Sequence, residues 1–155
     1  MTEQWQQPQG LRIKVVDPDD DHLASAISIQ AANKWVAGTA RIYAPLDELS
    51  KFANQIRGFP ANIQDERAYE FGSPDPSTAG GYCKLRFQCV DRAGHVAIAI
   101  VIEDDGDWYS PGKVELNFRA EPAEIDRFIE RLRDIELEQS GEAVLAAVSE
   151  KQEVG

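Results

Sequence analysis

Three residues of the types that form a thiol nucleophile and its base lie close together in the sequence: Cys89, Asp91 and His95. A thiolate attacks carbon centres, and a neighbouring imidazole is a common group that deprotonates the thiol. Cys89 continues an apolar alternation, whereas His95 begins the return strand on the face opposite Val96 and Ile98. We therefore predict a buried, reduced thiol beside a solvent-facing imidazole, and no catalytic residue.

The elements that position these residues are two strands joined by a tight turn, over residues 82–103. Cys83 and Leu85 belong to an alternation of apolar and polar residues, which is typical of a strand with one buried face. Asp91 and Gly94 supply the turn, because Asp caps a type I turn and Gly accepts a left-handed conformation. The return strand is apolar on both faces. We expect it to lie centrally in a sheet and to be covered above and below.

The two cysteines of the chain are both on the first strand of this hairpin. Cys83 and Cys89 are about 20 Å apart in an extended strand, which rises about 3.3 Å per residue. A disulfide requires α-carbons within about 7 Å, so the two thiols cannot bridge within one chain. We expect both to be reduced and buried.

A calcium site is suggested by the acidic run that follows the first predicted strand. Asp17, Asp19 and Asp21 match the first three ligand positions of a helix-loop-helix calcium loop. His22 stands where that loop needs Gly, and Ser28 stands where it needs a bidentate Glu. With no zinc spacing of Cys and His either, we predict no metal site and no cofactor.

A second acidic stretch contains two aromatic residues and is our predicted partner-binding site. Its members are Asp104, Asp105, Asp107, Trp108 and Tyr109, in a loop that ends at a Ser-Pro-Gly sequence. Aromatic side chains in loops are common anchors at protein interfaces. They also serve as lids over a sheet edge, and the sequence leaves the two readings equal.

Composition limits the classes of function. The chain has 155 residues, 43% hydrophobic and 28% charged, with a net charge of −11. This composition is typical of one soluble domain, and the charge argues against nucleic acid as a partner. An acidic surface suits a basic protein partner, although acidity also serves solubility alone. We find no membrane-spanning run and no export signal, and therefore expect a cytoplasmic protein.

Seven strands are predicted from alternation and turn residues. They cover residues 11–17, 23–31, 35–43, 67–71, 82–89, 95–103 and 114–118. Asn33 and Lys34 form the turn before the third strand. Gly38 within that strand indicates a bulge or a close approach of another backbone.

Two segments have apolar residues at helical spacing. The first covers residues 45–57. The second opens at Pro122, which suits the first helical position, and ends before Ser140. Phe128 lies on its apolar stripe, and we predict that it is buried against the sheet.

These elements predict an α+β domain with a mostly antiparallel sheet of about six to seven strands and two amphipathic helices. The single domain covers residues 11–139. Residues 1–10 and 140–155 are predicted to be flexible tails. Within the second tail, residues 143–148 are weakly apolar and suit a short terminal helix or a partner contact.

Four short motifs resemble those of a family. They are Leu49-x-x-Phe52, Gly58-Phe59-Pro60, Asp91-x-x-Gly94-His95-Val96, and Phe118 followed by Ile125-x-x-Phe128-x-x-x-Leu132. The combination resembles a group of small bacterial proteins that is similar to immunity proteins of polymorphic toxin systems. The resemblance covers residues 11–137, and it implies a sheet with two helices that binds and blocks a cognate toxin. Its motifs are structural, so no binding residue is carried over.

We therefore predict a bacterial, non-enzymatic protein-binding domain of the immunity type, with a basic, toxin-like protein as partner. One alternative is a small-molecule binding or enzymatic domain with a pocket between sheet and helices. Another is a structural or interaction protein without a toxin. The sequence also leaves homo-oligomerisation open.

Overall fold

The computed structural model describes residues 9–17, 24–74, 80–104 and 112–148. These residues form eight strands and two helices, an α+β arrangement as predicted. In chain order the elements are β1 (Gly10–Asp17), β2 (Ala24–Ala32), β3 (Ala37–Pro45), α1 (Glu48–Ile56), β4 (Glu66–Gly72), β5 (Tyr82–Cys89), β6 (Val96–Asp104), β7 (Gly112–Ala120), α2 (Pro122–Glu138) and β8 (Glu142–Ala146).

The strands form two antiparallel sheets of four strands each, where one sheet was expected. The first sheet has the order β3-β2-β1-β8 and the second the order β4-β5-β6-β7. Strand β3 contacts all four strands of the second sheet, so the two sheets pack face to face. Helix α1 separates β1–β3 of the first sheet from β4–β7 of the second in the chain, and β8 returns to the first sheet. Alternation reveals which face of a strand is buried, but not which sheet receives the strand.

The apolar faces of both sheets meet in one core. Ile13 and Ile29 of the first sheet are fully buried. Leu85 and Ile98 of the second sheet are fully buried as well. Their outward neighbours are polar or only half-buried. The alternation in the sequence therefore gave the correct inward face for these strands.

Strand β6 is central in its sheet, as predicted, but it is buried on one face only. Ile98 is buried, whereas Ala97, Ala99 and Val101 on the opposite face are half-buried. Their cross-strand neighbours on that face include Arg86, opposite Ala99. The aliphatic stem of such a long side chain shields small residues beside it. The small apolar residues on the outer face of β6 therefore gave the same sequence pattern as a strand that is buried on both faces.

Gly38 is a point of close approach between the sheets. A Cβ built at Gly38 would lie 2.9 Å from the Cβ of Val114 in β7. The pairing of β3 with β2 runs without a register shift, so Gly38 is not a bulge, and the group that approaches it is the side chain of Val114, not a backbone as we predicted. The missing side chain lets β3 cross β7 closely.

Helix α1 begins at Glu48, because Pro45 is the last residue of β3 and not the start of the helix. The carboxylate of Glu136 in α2 accepts hydrogen bonds from the hydroxyl and the backbone N–H of Ser50, the latter at 2.9 Å. A carboxylate is favoured at the positive end of a helix. The contact therefore links the two helices at the start of α1.

Arg67 of β4 fixes the other end of α1. Its guanidinium donates to the carbonyl oxygens of Gln55 at 3.1 Å and Arg57 at 2.7 Å. It also pairs with Asp65 at 2.8 Å and lies 5.3 Å from the ring centre of Phe59. These bonds satisfy carbonyls that a helix end otherwise leaves unpaired.

Helix α2 follows the predicted bounds closely, and Phe128 is buried in it. Its apolar stripe is fully inside the core: Ile125, Phe128, Ile129, Leu132 and Ile135. It packs against α1 and against β8. The amphipathic spacing was therefore sufficient to place this helix.

Residues 142–146 form strand β8, although we expected a flexible tail or a terminal helix there. The strand pairs antiparallel with β1, from Lys14 opposite Glu142 to Gly10 opposite Ala146. Leu145 is 0% exposed in the core. Five weakly apolar residues give little local signal, and the free edge of β1 that receives them cannot be read from the sequence.

Candidate partner-binding surface

The predicted acidic and aromatic loop follows directly on β6. Asp104 is the last residue of that strand, is exposed, and pairs with Gly112 of β7. Asp105, Asp107, Trp108 and Tyr109 lie outside the described residues. The role of the loop therefore stays a prediction.

An exposed tryptophan lies at the turn between β2 and β3, residues 33–36. The side chain of Trp35 is 78% exposed and that of Val36 is 43% exposed. The ammonium group of Lys34 lies 5.4 Å from the centre of the indole ring. Tryptophan is highly buried on average in folded proteins, so such exposure is informative.

Hydrogen bonds of Asn33 hold this turn in one conformation. The Asn33 Oδ1 accepts from the backbone N–H groups of Trp35 at 2.8 Å and Val36 at 3.0 Å. The Asn33 N–H donates to the Val36 carbonyl at 3.0 Å. The Asn33 Nδ2 donates to the Asn117 carbonyl of β7 at 2.9 Å. The turn is therefore fixed internally and linked to the second sheet.

Sequence reasoning missed Trp35 as a surface residue. We predicted the turn at Asn33 but assigned Trp35 to the start of a strand over residues 35–43, where alternation hides its exposure. The strand begins at Ala37 instead. An Asn side chain often bonds the backbone two residues ahead, and this rule would have placed Trp35 within the turn.

The turn at residues 33–36 contacts β7, an edge strand of the second sheet. Asn117 of β7 accepts the hydrogen bond from Asn33, and Val114 of β7 contacts Gly38. Strand β7 begins at Gly112, which follows the predicted acidic loop in the sequence. The turn is therefore attached to the strand that comes next in the chain after that loop.

The Cys89 thiol and the His95 imidazole contact different groups of Asp91. The Cys89 thiol donates to the Asp91 carbonyl at 3.2 Å. The Nδ1 of His95 lies 2.7 Å from a carboxylate oxygen of Asp91, and its Nε2 lies 3.5 Å from one of Glu121. An imidazole between two carboxylates is favoured in its protonated form. This state makes His95 a poor base for a thiol.

The pH dependence of His95 follows from these contacts. The hydrogen bond with Asp91, with further attraction from Asp91 and Glu121, raises the pKa of His95 above its usual 6.5, against burial and the opposing charge of Arg119. Its stabilising effect is therefore present below the usual pKa and lost as pH rises through the raised one. The pKa of Asp91 is lowered chiefly by the hydrogen bond with His95, so its effect is lost as pH falls through that lowered value.

We expect an NMR titration of the His95 ring to give a midpoint above 6.5. Asp91→Asn should move the midpoint down, and Glu121→Gln should move it down less, because the hydrogen bond with Asp91 is the largest cause. An Asp91→Asn protein that titrates like the parent would contradict this account of the cluster.

The two cysteines differ in burial. Both are free; Cys83 is buried, whereas Cys89 is only partly buried, against our expectation. Burial raises the pKa of the Cys83 thiol to about 12. A thiol with so high a pKa is almost entirely protonated at neutral pH and therefore unreactive.

An open polar cleft lies between α1 and α2. It is lined by Ser50, Asn54, Arg57 and Arg133. It lies between the helices, not between sheet and helices, where the small-molecule alternative placed its pocket.

Within the described ranges, no group of three or more His, Cys, Asp or Glu residues is arranged to hold a metal ion. Neither described helix has the length and apolarity needed to cross a membrane.

A comparison with protein families decides the class of this chain. Residues 2–145 match the model described as the immunity protein WapI-like family. The chain belongs to the WapI-like immunity protein family. Comparisons with curated proteins and with solved structures gave no match.

Membership of the WapI-like family confirms the resemblance to immunity proteins that the four motifs indicated. The matched segment includes both helices and both sheets and extends into β8. Immunity proteins are generally non-catalytic and act by binding a toxin. For a WapI-like protein, the exposed turn at residues 33–36 and the loop after Asp104 are therefore candidate protein contacts.

Proposed function

We propose that this chain binds a cognate toxin and neutralises it by forming a complex. The observation that carries the proposal is the match to the WapI-like immunity family over residues 2–145. The partly buried Cys89 and the carboxylate-bound His95 support a binding role, because neither is arranged for nucleophilic catalysis.

The partner we propose is a basic protein. The net charge of −11 attracts a basic surface during diffusional encounter. We place part of the contact at Asp104, which is exposed at the end of β6, and at the residues that follow it in the sequence, Asp105, Asp107, Trp108 and Tyr109. The carboxylates would speed association, and the aromatic side chains would slow dissociation.

The test of the function is co-expression with a candidate toxin, chosen as a toxin-like domain that a neighbouring gene encodes or that the chain captures from its source lysate. Cells that produce the toxin alone should stop growing, and cells that also produce this chain should grow. The purified proteins should form a complex in size-exclusion chromatography. A toxin that remains lethal and elutes alone in the presence of the folded chain would refute the proposal.

The test of the contact is binding kinetics at two salt concentrations. Added salt should slow association strongly and change dissociation little, because screening acts over about 8 Å at physiological ionic strength. The triple change of Asp104, Asp105 and Asp107 to Asn should slow association, and Trp108→Ala should speed dissociation.

A control with the same change in net charge separates a local contact from overall charge. Asp126→Asn, Glu130→Gln and Asp134→Asn together neutralise three exposed carboxylates on α2. This triple variant should associate faster than the loop variant. Equal rates for the two would remove the loop from the contact and leave net charge alone as the cause.

A further inference from the structure

Two large apolar side chains among the described residues are more than three-quarters exposed. They are Trp35, at 78%, and Leu137 on α2, at 84%. Leu137 stands on the solvent face of a helix between Glu136 and Glu138. Trp35 stands at the end of a turn with Val36 beside it. Both positions are open to solvent and both have an ordered backbone, but Trp35 carries the larger apolar side chain and adjoins the exposed Val36.

Hydrogen bonds fix the backbone at Trp35 although this residue lies outside any helix or strand. Four hydrogen bonds of Asn33 close the turn and join it to Asn117, with N–O distances of 2.8 to 3.0 Å. Binding normally costs free energy to order loops and side chains at the interface. The backbone that carries Trp35 is already ordered, so this part of the cost is small.

We propose that Trp35 is an anchor residue for the toxin, whose surface provides an apolar pocket for the indole and a hydrogen-bond acceptor at the rim for its N–H. The proposal rests on the function proposed above. Indole combines a large apolar surface with a single donor, so it suits a pocket with one polar group at its edge. Tryptophan is also the residue type most enriched at the energetic centres of interfaces.

The surroundings of Trp35 favour an anchor over a self-association surface. Its neighbours in the turn are Asn33 and Lys34, and the turn is joined to Asn117 of β7; all three are polar. Trp35 and Val36 thus form a small apolar site within a polar border. A stable dimer interface needs a broader patch, about 800 Å² per partner, whereas one inserted side chain needs only a pocket.

The experiment compares Trp35→Ala with Leu137→Ala in binding to the toxin domain that the co-expression test identifies. We expect Trp35→Ala to raise Kd at least about 30-fold, mainly through faster dissociation, as anchor residues do. Leu137→Ala should change Kd less than about threefold. Thermal unfolding of both variants should match the parent, since both side chains are exposed.

A third variant tests the fixed turn. Asn33→Ala removes the side-chain bonds to Trp35, Val36 and Asn117 and keeps the indole. It should raise Kd by about 2- to 13-fold, the effect of ordering one loop segment on binding. An unchanged Kd would show that the order of the turn contributes nothing and would overturn that part of the proposal.

The outcomes separate the two proposals. If the parent does not bind the toxin, the proposed function falls and the anchor falls with it. If the parent binds and Trp35→Ala binds like Leu137→Ala, only the anchor falls. Sedimentation equilibrium of the chain alone adds one more outcome: a dimer that Trp35→Ala abolishes would show that a second copy occupies the site, and would also overturn the proposal.

Discussion

Replacing Phe52 with alanine should lower the free energy of unfolding by about 3–5 kcal/mol. Phe52 is 0% exposed at the centre of an aromatic cluster. Its ring centre lies 5.1 Å from those of Tyr69 and Phe71, 6.2 Å from that of Phe87 and 6.0 Å from that of Phe128. These neighbours belong to β4, β5 and α2, so the cavity would open where four elements meet.

Denaturant titration monitored by circular dichroism measures this effect. Phe52→Leu should lose less than Phe52→Ala, because it keeps most of the apolar volume. Lys51→Ala is the matched control, since it changes the neighbouring exposed residue of α1 and should cost no more than about 0.5 kcal/mol. A loss below about 1 kcal/mol for Phe52→Ala would contradict the packing of α1 described above.

Replacing Leu145 with alanine should lower the free energy of unfolding by about 2–5 kcal/mol. Leu145 is 0% exposed, pairs with Leu11 of β1 and lies under α2 through the packing of β8 on that helix. The adjacent Val144 points outward and is 37% exposed. Alternation along the strand therefore makes opposite predictions for two neighbouring apolar residues.

The same titration applied to Val144→Ala provides the control, which should lose less than about 1 kcal/mol. Hydrogen exchange gives a second measurement, because backbone N–H groups of β8 that pair with β1 should exchange slowly. Equal, small losses for Leu145→Ala and Val144→Ala would mean that these residues behave as the flexible tail that the sequence suggested.

Elements with a strong period could be predicted from the sequence. The bounds of β5 were correct to the residue, and α2 began at Pro122 as expected. Both segments are amphipathic over their whole length, and local turn or capping residues mark their ends. The division into two sheets and the position of β8 could not be predicted, since both depend on which distant edge accepts a strand.

The candidate surface was harder to predict than the fold. Burial gives a periodic pattern of apolar residues in the sequence. A residue that contacts a partner needs only to be exposed and to have a fixed backbone, which gives no such pattern. Trp35 was hidden because its turn continues into an alternating strand. The hydrogen bond from Asn33 to Asn117, which helps to fix the turn that carries Trp35, joins two segments that are distant in the chain and could not be predicted from the sequence.

Because β8 pairs with β1, the protein can complete its fold only late in synthesis. Residues 142–146 complete the first sheet beside the earliest described strand, so that sheet cannot close until they have left the ribosome. At about 5–20 residues per second, synthesis from Gly10 to Ala146 takes roughly 7 to 27 s. Pairing between such distant segments is also among the slower steps of folding. Under the proposed function, a chain protects the cell only after residues 142–146 have emerged and paired with β1.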